Sequence, residues 1–207
     1  MTAGLGRVLR AYDDGVDAVE AMAARIDAAD AWDQPTPCPA WTAAELAGHL
    51  QVVAGWYHAW LDRAEVGIAE APFATGRLPA ENAAAVDALP PTSGTERAAA
   101  FAALARAYAK RVPERWSLPY GYPRGTVTAG LHAGVAAIEW HVHAWDLGRV
   151  VGQEHRPADP KALAAVGAES EVRWRMPALR PLLPAARRVA TTGDAWRRVL
   201  KGAGRTP

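Results

Sequence analysis

The apolar residues of the first thirty positions fall at three- and four-residue steps: Leu5, Val8, Leu9, Tyr12, Val16, Val19, Met22 and Ile26. A helix turns about 100° per residue, so this spacing gathers them into one stripe and predicts a helix over about 3–30. Prolines at 35, 37 and 39 then forbid helix and stiffen the connection. Thr42-Ala-Ala-Glu45 is a capping box, in which hydroxyl and carboxylate exchange backbone hydrogen bonds, and it opens a second helix over about 43–69. Pro72, Gly76, Pro79, Pro90, Pro91 and Gly94 mark 70–94 as a long crossover with a short helix near about 80–87. A third helix over about 95–112 is stopped by Pro113, and Pro119-Tyr-Gly-Tyr-Pro-Arg-Gly125 breaks the chain again. A fourth runs over about 127–151 to Gly152, and a shorter one over about 159–174 precedes a basic, proline-punctuated segment. Period-2 alternation is nowhere sustained, so neither sheet nor repeat array is expected. The pattern predicts one all-α domain over residues 1–207 with four main helices.

Composition narrows this further. With 50% hydrophobic and 22% charged residues, the chain lies far from the disordered class. Charge, His or Pro interrupts every apolar stretch before the roughly 18 residues a membrane helix needs. The N-terminus lacks a signal peptide's apolar core, so a cytoplasmic protein is expected, either monomer or homodimer. A single cysteine, Cys38, excludes a disulfide framework and a multi-thiolate zinc site, so a metal would need His and carboxylate ligands. The net charge of +1 hides an asymmetry, since residues 173–207 hold eight Arg and Lys201 against Asp194 alone. Such a segment attracts anions, although a solvated basic face reads the same way. Nucleic acid is not an expected partner, because these arginines lack interleaved exposed aromatics beyond Trp174 and Trp196 and the overall charge is near zero.

Three of six histidines fall in the fourth helix, beside Glu139. Glu139 and His143, four residues apart, lie about 40° apart and roughly 6 Å along the axis, so both reach one point. His132 and Asp146, each seven residues from Glu139, share that face. His141 lies roughly opposite and is expected to face outward. On the second helix His49 stands in line with Val53, Trp56 and Trp60, an inward stripe, whereas His58 projects to the other side. An inward His with a Glu-x-x-x-His pair offers a divalent ion two imidazoles and a carboxylate and leaves positions open. A hydrogen-bonded core histidine and an exposed ion pair explain the same spacing, so the pattern alone leaves these alternatives open.

Thr36-Pro-Cys-Pro-Ala-Trp-Thr-Ala-Ala-Glu-Leu-Ala-Gly-His-Leu50, then Glu139-Trp-His-Val-His-Ala-Trp-Asp-Leu147, and finally Gly204-Arg-Thr-Pro207, resemble the mycothiol-dependent maleylpyruvate isomerase type of DinB-like metal-binding protein. The resemblance implies a DinB-like four-helix bundle with a crossover and an extra C-terminal helical segment. It further implies a metal, usually zinc, held by His49, Glu139 and His143; by donor chemistry alone Ni2+ or Fe2+ accepts the same set. The isomerase carries a further C-terminal domain that this chain is too short to hold in full.

Around those ligands, Trp56, Trp60 and His132 are candidates for a substrate pocket, with His132 also a candidate fourth ligand or proton shuttle. Asp146 is a candidate support for a ligand or a partner for an Arg on another helix. Cys38 is flanked by prolines and has no activating base nearby in sequence. Two functions fit. One is a metal-dependent transferase or isomerase in which a small thiol, mycothiol or one like it, attacks a small electrophile. Arg173, Arg175 or later arginines would receive the anionic part. The other is a non-catalytic metal-containing protein that sequesters a small molecule between the helices.

Overall fold

The computed structural model describes residues 2–38, 41–68, 70–123, 125–175 and 181–207; the side chains of residues 2, 3, 75 and 171–175 lie outside the description. The helices are α1 (Thr2–Ala28), α2 (Ala43–Glu65), α3 (Leu78–Asp87), α4 (Gly94–Arg115), α5 (Ala129–Val150), α6 (Pro160–Arg175), α7 (Leu183–Thr191) and α8 (Ala195–Gly202). Four long helices form the bundle: α1 lies along α5 and α4, α2 lies along α4, and α5 closes the ring against α2. The predicted stripe on α1 buries Tyr12, Val16, Val19 and Ile26 completely. Burying a large apolar side chain contributes about 1.5–3 kcal/mol, so this one face dominates the helix's stability. Gly15 lets α1 approach α5, since a Cβ there would stand 2.8 Å from that of Trp140.

The Thr42–Glu45 capping box forms as predicted, and Ser93 with Glu96 makes a second at the head of α4. The segment before α2 folds back on it, with Ala43 N–H donating to Gln34 O and Ala44 N–H to Trp32 O, which sets Trp41 and Cys38 beside the head of the helix. α2 ends at Glu65, short of 69, where Gly67 takes a φ of +81°. α4 continues past Pro113 to Arg115, because a proline in the last turn forfeits little helical bonding.

The expectation of no sheet is corrected by a small antiparallel hairpin, β1 (Pro119–Tyr122) and β2 (Gly125–Thr128), so α5 begins at Ala129 rather than 127. Each strand is four residues long, and only Tyr120, Gly121 and Val127 are buried, too little for alternation to register. The crossover carries α3, which packs on α2, and α6–α8 form the extra C-terminal segment, with α6 and α8 against α5. Among the described residues, no helix is long and apolar enough to cross a membrane.

Candidate metal centre

His49 of α2 and Glu139 and His143 of α5 come together at one end of the bundle, with ligand atoms all within 4.8 Å of one another. Nε2 of His49 is 3.6 Å from Oε1 of Glu139, and the two imidazoles meet nearly edge to face with centroids 5.0 Å apart. A separation of 3.6 Å is too long for a hydrogen bond. Two donors at zinc distances in tetrahedral geometry stand about 3.4 Å apart, so the spacing fits a cation between them.

Each donor is held from behind. The Asn82 amide lies 2.6 Å from His49 Nδ1. With its nitrogen toward the ring, Oδ1 is buried without a partner among the described residues. Turning the amide end for end keeps the heavy-atom outline and gives Oδ1 the Nδ1–H, which leaves the Nε2 lone pair for the site. Trp41 stacks on the same imidazole at 4.4 Å. His143 Nδ1 is 3.0 Å from Asp146 Oδ2, and Arg205 grips both oxygens of that carboxylate, Nε to Oδ1 at 2.9 Å and Nη2 to Oδ2 at 2.6 Å. Asp146 thus contacts both His143 and an arginine, although Arg205 lies in the turn after α8 rather than on another helix. The Tyr57 hydroxyl donates to Glu139 Oε2 at 2.6 Å.

The electrostatics follow this wiring. Burial works against the charge of Glu139, but the nearby imidazoles of His49 and His143 and the Tyr57 hydrogen bond outweigh it and hold the carboxyl at about 2. Burial likewise opposes Asp146, and Arg205 and His143 reverse it, keeping its carboxyl below the usual range. Burial holds His143 below its ordinary value, the neutral form a cation requires. Burial, reinforced by Glu139, pushes the Tyr57 hydroxyl far up, so it stays a donor.

A cavity of about 720 Å3 opens beside this cluster, with Glu139, His143, Arg198 and Arg205 on its polar side and Val135, Ile138 and Val142 among its apolar walls. Glu139 is the most open of the donors, its side chain 26% exposed against 7% for His49. Trp56, Trp60 and His132 do not line this cavity. Trp60 backs it through Tyr122, a lining residue, at 5.1 Å, and Trp56 packs on Trp60 and Phe73. His132 belongs to no metal-capable group among the described residues. Its Nδ1 bonds the Tyr120 hydroxyl, which in turn meets Tyr108, and burial drives its pKa down to about 3.

His141 is not outward-facing: it is buried, with Nε2 donating to Ala11 O at 3.1 Å and Nδ1 2.9 Å from His155 Nε2. Its direction away from Glu139 holds, but α5 is covered on nearly every side, so opposite the site does not mean exposed. His58 faces α4, bonded to Leu104 O and Arg111. Trp196, expected among exposed aromatics, is buried and donates to His155 O. The side chains of Arg173, Trp174 and Arg175 lie outside the described residues.

Cys38 comes nearer than its sequence context suggested, within 4.8 Å of ligand atoms of His143 and Asp146. Asp146 is already committed to Arg205 and His143, so this second set lacks a free carboxylate. Burial raises the Cys38 thiol, with Arg205 opposing. Sequence reasoning missed Asn82, Tyr57 and Arg205. Asn82 follows Glu81 in a short alanine-rich helix, and nothing in the local pattern separates it from an ordinary exposed polar residue.

A helical bundle with a crossover, a histidine from one helix and a Glu-x-x-x-His pair from another, describes a protein of the DinB-like class. Residues 12–148 match the mycothiol maleylpyruvate isomerase N-terminal domain, and the chain belongs to that family. No curated protein and no solved structure matches it. The matched span holds all three candidate ligands, whereas α6–α8 and Arg205 lie beyond it.

Proposed function

We propose that the protein is a metal-dependent transferase or isomerase that uses a small thiol, mycothiol or one like it, on a small electrophile. The observation that carries this reading is the opening of Glu139 and His143 onto a cavity of about 720 Å3 while the outer nitrogens of both histidines are engaged from behind. His49, Glu139 and His143 would hold the cation, zinc first for two imidazoles and a carboxylate, with Ni2+ or Fe2+ compatible with the same donors. A bound divalent cation supplies Lewis acidity and lowers the pKa of a thiol that reaches it, so thiolate forms near neutral pH.

The chain's own residues supply the rest. Val135, Ile138 and Val142 give the carbon body of a substrate an apolar wall, and Arg198 draws an anionic group to the polar side, Arg205 being paired with Asp146. The family name supports mycothiol as the thiol. The apolar share of the cavity wall also suits the second reading, sequestration without turnover.

Metal analysis of the purified protein, followed by incubation with mycothiol and a panel of electrophiles, tests the proposal. One equivalent of metal and thiol-dependent turnover are expected in the wild type, both lost in His49→Ala and His143→Ala and both kept in His58→Gln. Metal retained in His49→Ala sinks the ligand set. Ligand-dependent stabilisation without turnover for any small thiol replaces the enzyme with the sequestration reading.

A further inference from the structure

We infer that Tyr57 fixes Glu139 as a one-oxygen donor, so that the centre presents a cation with three protein atoms and leaves its other positions to the cavity. The inference rests on the metal-centre reading above and concerns a residue that the ligand spacing does not reveal. Tyr57 comes from α2, eight residues after His49 and about 80° around the helix from it. Its hydroxyl holds Oε2 of Glu139 at 2.6 Å, while Oε1 is the oxygen turned toward His49 Nε2. The two carboxylate oxygens therefore have different neighbours before any cation arrives.

The tyrosine is not free to follow a moving carboxylate. Its ring is buried and stands 4.0 Å from that of His132, 5.6 Å from those of Trp140 and Tyr108, and 5.9 Å from that of Trp60. For Glu139 to ligate through both oxygens, Oε2 would have to swing toward the cation and away from a hydroxyl whose packed ring cannot follow, which stretches or breaks the Oε2 bond. A hydrogen bond to a charged oxygen is among the stronger kind, and orphaning its donor adds to the loss. The bond also draws electron density from the carboxylate. With one carboxylate oxygen engaged rather than two, the cation keeps stronger Lewis acidity and more room for a ligand from the cavity.

Loading the full chain with Co2+ alone reads the donor number from the visible spectrum, without any turnover. Tyr57→Phe keeps the ring and removes only the hydroxyl. Its bands should weaken and move to shorter wavelength as the freed Oε2 joins the coordination sphere. Tyr108→Phe, which removes a buried hydroxyl that does not touch Glu139, should match the wild type. Identical spectra for wild type and Tyr57→Phe, or an equal change in Tyr108→Phe, overturn the inference while leaving the metal centre standing. A wild type that takes up no Co2+ overturns both. Should Tyr57→Phe fail to fold, the metal-loaded minus metal-free infrared difference of the wild type decides. A wide separation of the two carboxylate stretches supports one-oxygen ligation, and a narrow one overturns it.

Discussion

Asn82 and Asp146 occupy equivalent places behind the two histidines: Asp146 sets an oxygen against His143 Nδ1, and the Asn82 amide, turned end for end, does the same for His49 Nδ1. Partners of this kind fix tautomer and ring direction, and losing one typically costs about 10–100-fold in metal affinity. Asn82→Leu should therefore weaken Zn2+ binding about 10–100-fold in competition with a chromophoric chelator, and Asn82→Asp, which keeps the acceptor, should recover most of it. Equal affinities for wild type and Asn82→Leu would remove Asn82 from the site. The candidate ligands themselves were legible because a pair four residues apart on one helix declares its shared face. Their supports were not, because Asn82, Tyr57 and Arg205 reach the site across 33, 82 and 59 residues of separation that only tertiary packing closes.

At the scale of elements, the long helices were legible for the same periodic reason, and the hairpin was not, having too few residues to alternate. What periodicity could not convey is how closely the helices approach. Gly15 on α1 sits where an added Cβ would stand 2.8 Å from Trp140 Cβ and 3.3 Å from the His141 ring. Gly15→Ala gains about 1 kcal/mol of helix propensity. Against this, overpacking costs typically about 1–3 kcal/mol, and neither atom it meets is the loose end of a flexible chain, so the helices themselves must separate. The clash should win, with the melting temperature falling by roughly 2–4 °C for each kcal/mol of net loss. A more stable Gly15→Ala would show that α1 and α5 stand further apart. Burial of His141 belongs here too: phase placed it opposite Glu139, but only the covering of α5 on its far side made that position interior.

Across the whole molecule, His141 and His155 join the bundle to the segment that follows it, since His155 O accepts from Trp196 of α8. Burial, and for His141 also the charge of His155, brings both down to about 4 from an ordinary 6.5. Between those values the unfolded chain binds protons that the folded chain refuses, so stability is complete above about 6.5 and declines as pH falls toward about 4. Glu139, held at about 2, adds its own loss only below its unfolded value of 4.5. The urea midpoint should therefore drop between pH 6.5 and 4.5, and His155→Gln should flatten that part of the profile. A flat wild-type profile there would mean that these rings are not held neutral. The groups that meet around His49 and His143 run from Trp41 to Arg205, drawn from the segment before α2, from α2, α3 and α5, and from the turn after α8. No fragment shorter than residues 41–205 contains them all, so the support behind His143 is complete only once the turn after α8 docks on α5. Full affinity for an ion is therefore expected only after the C-terminal segment has closed over the bundle.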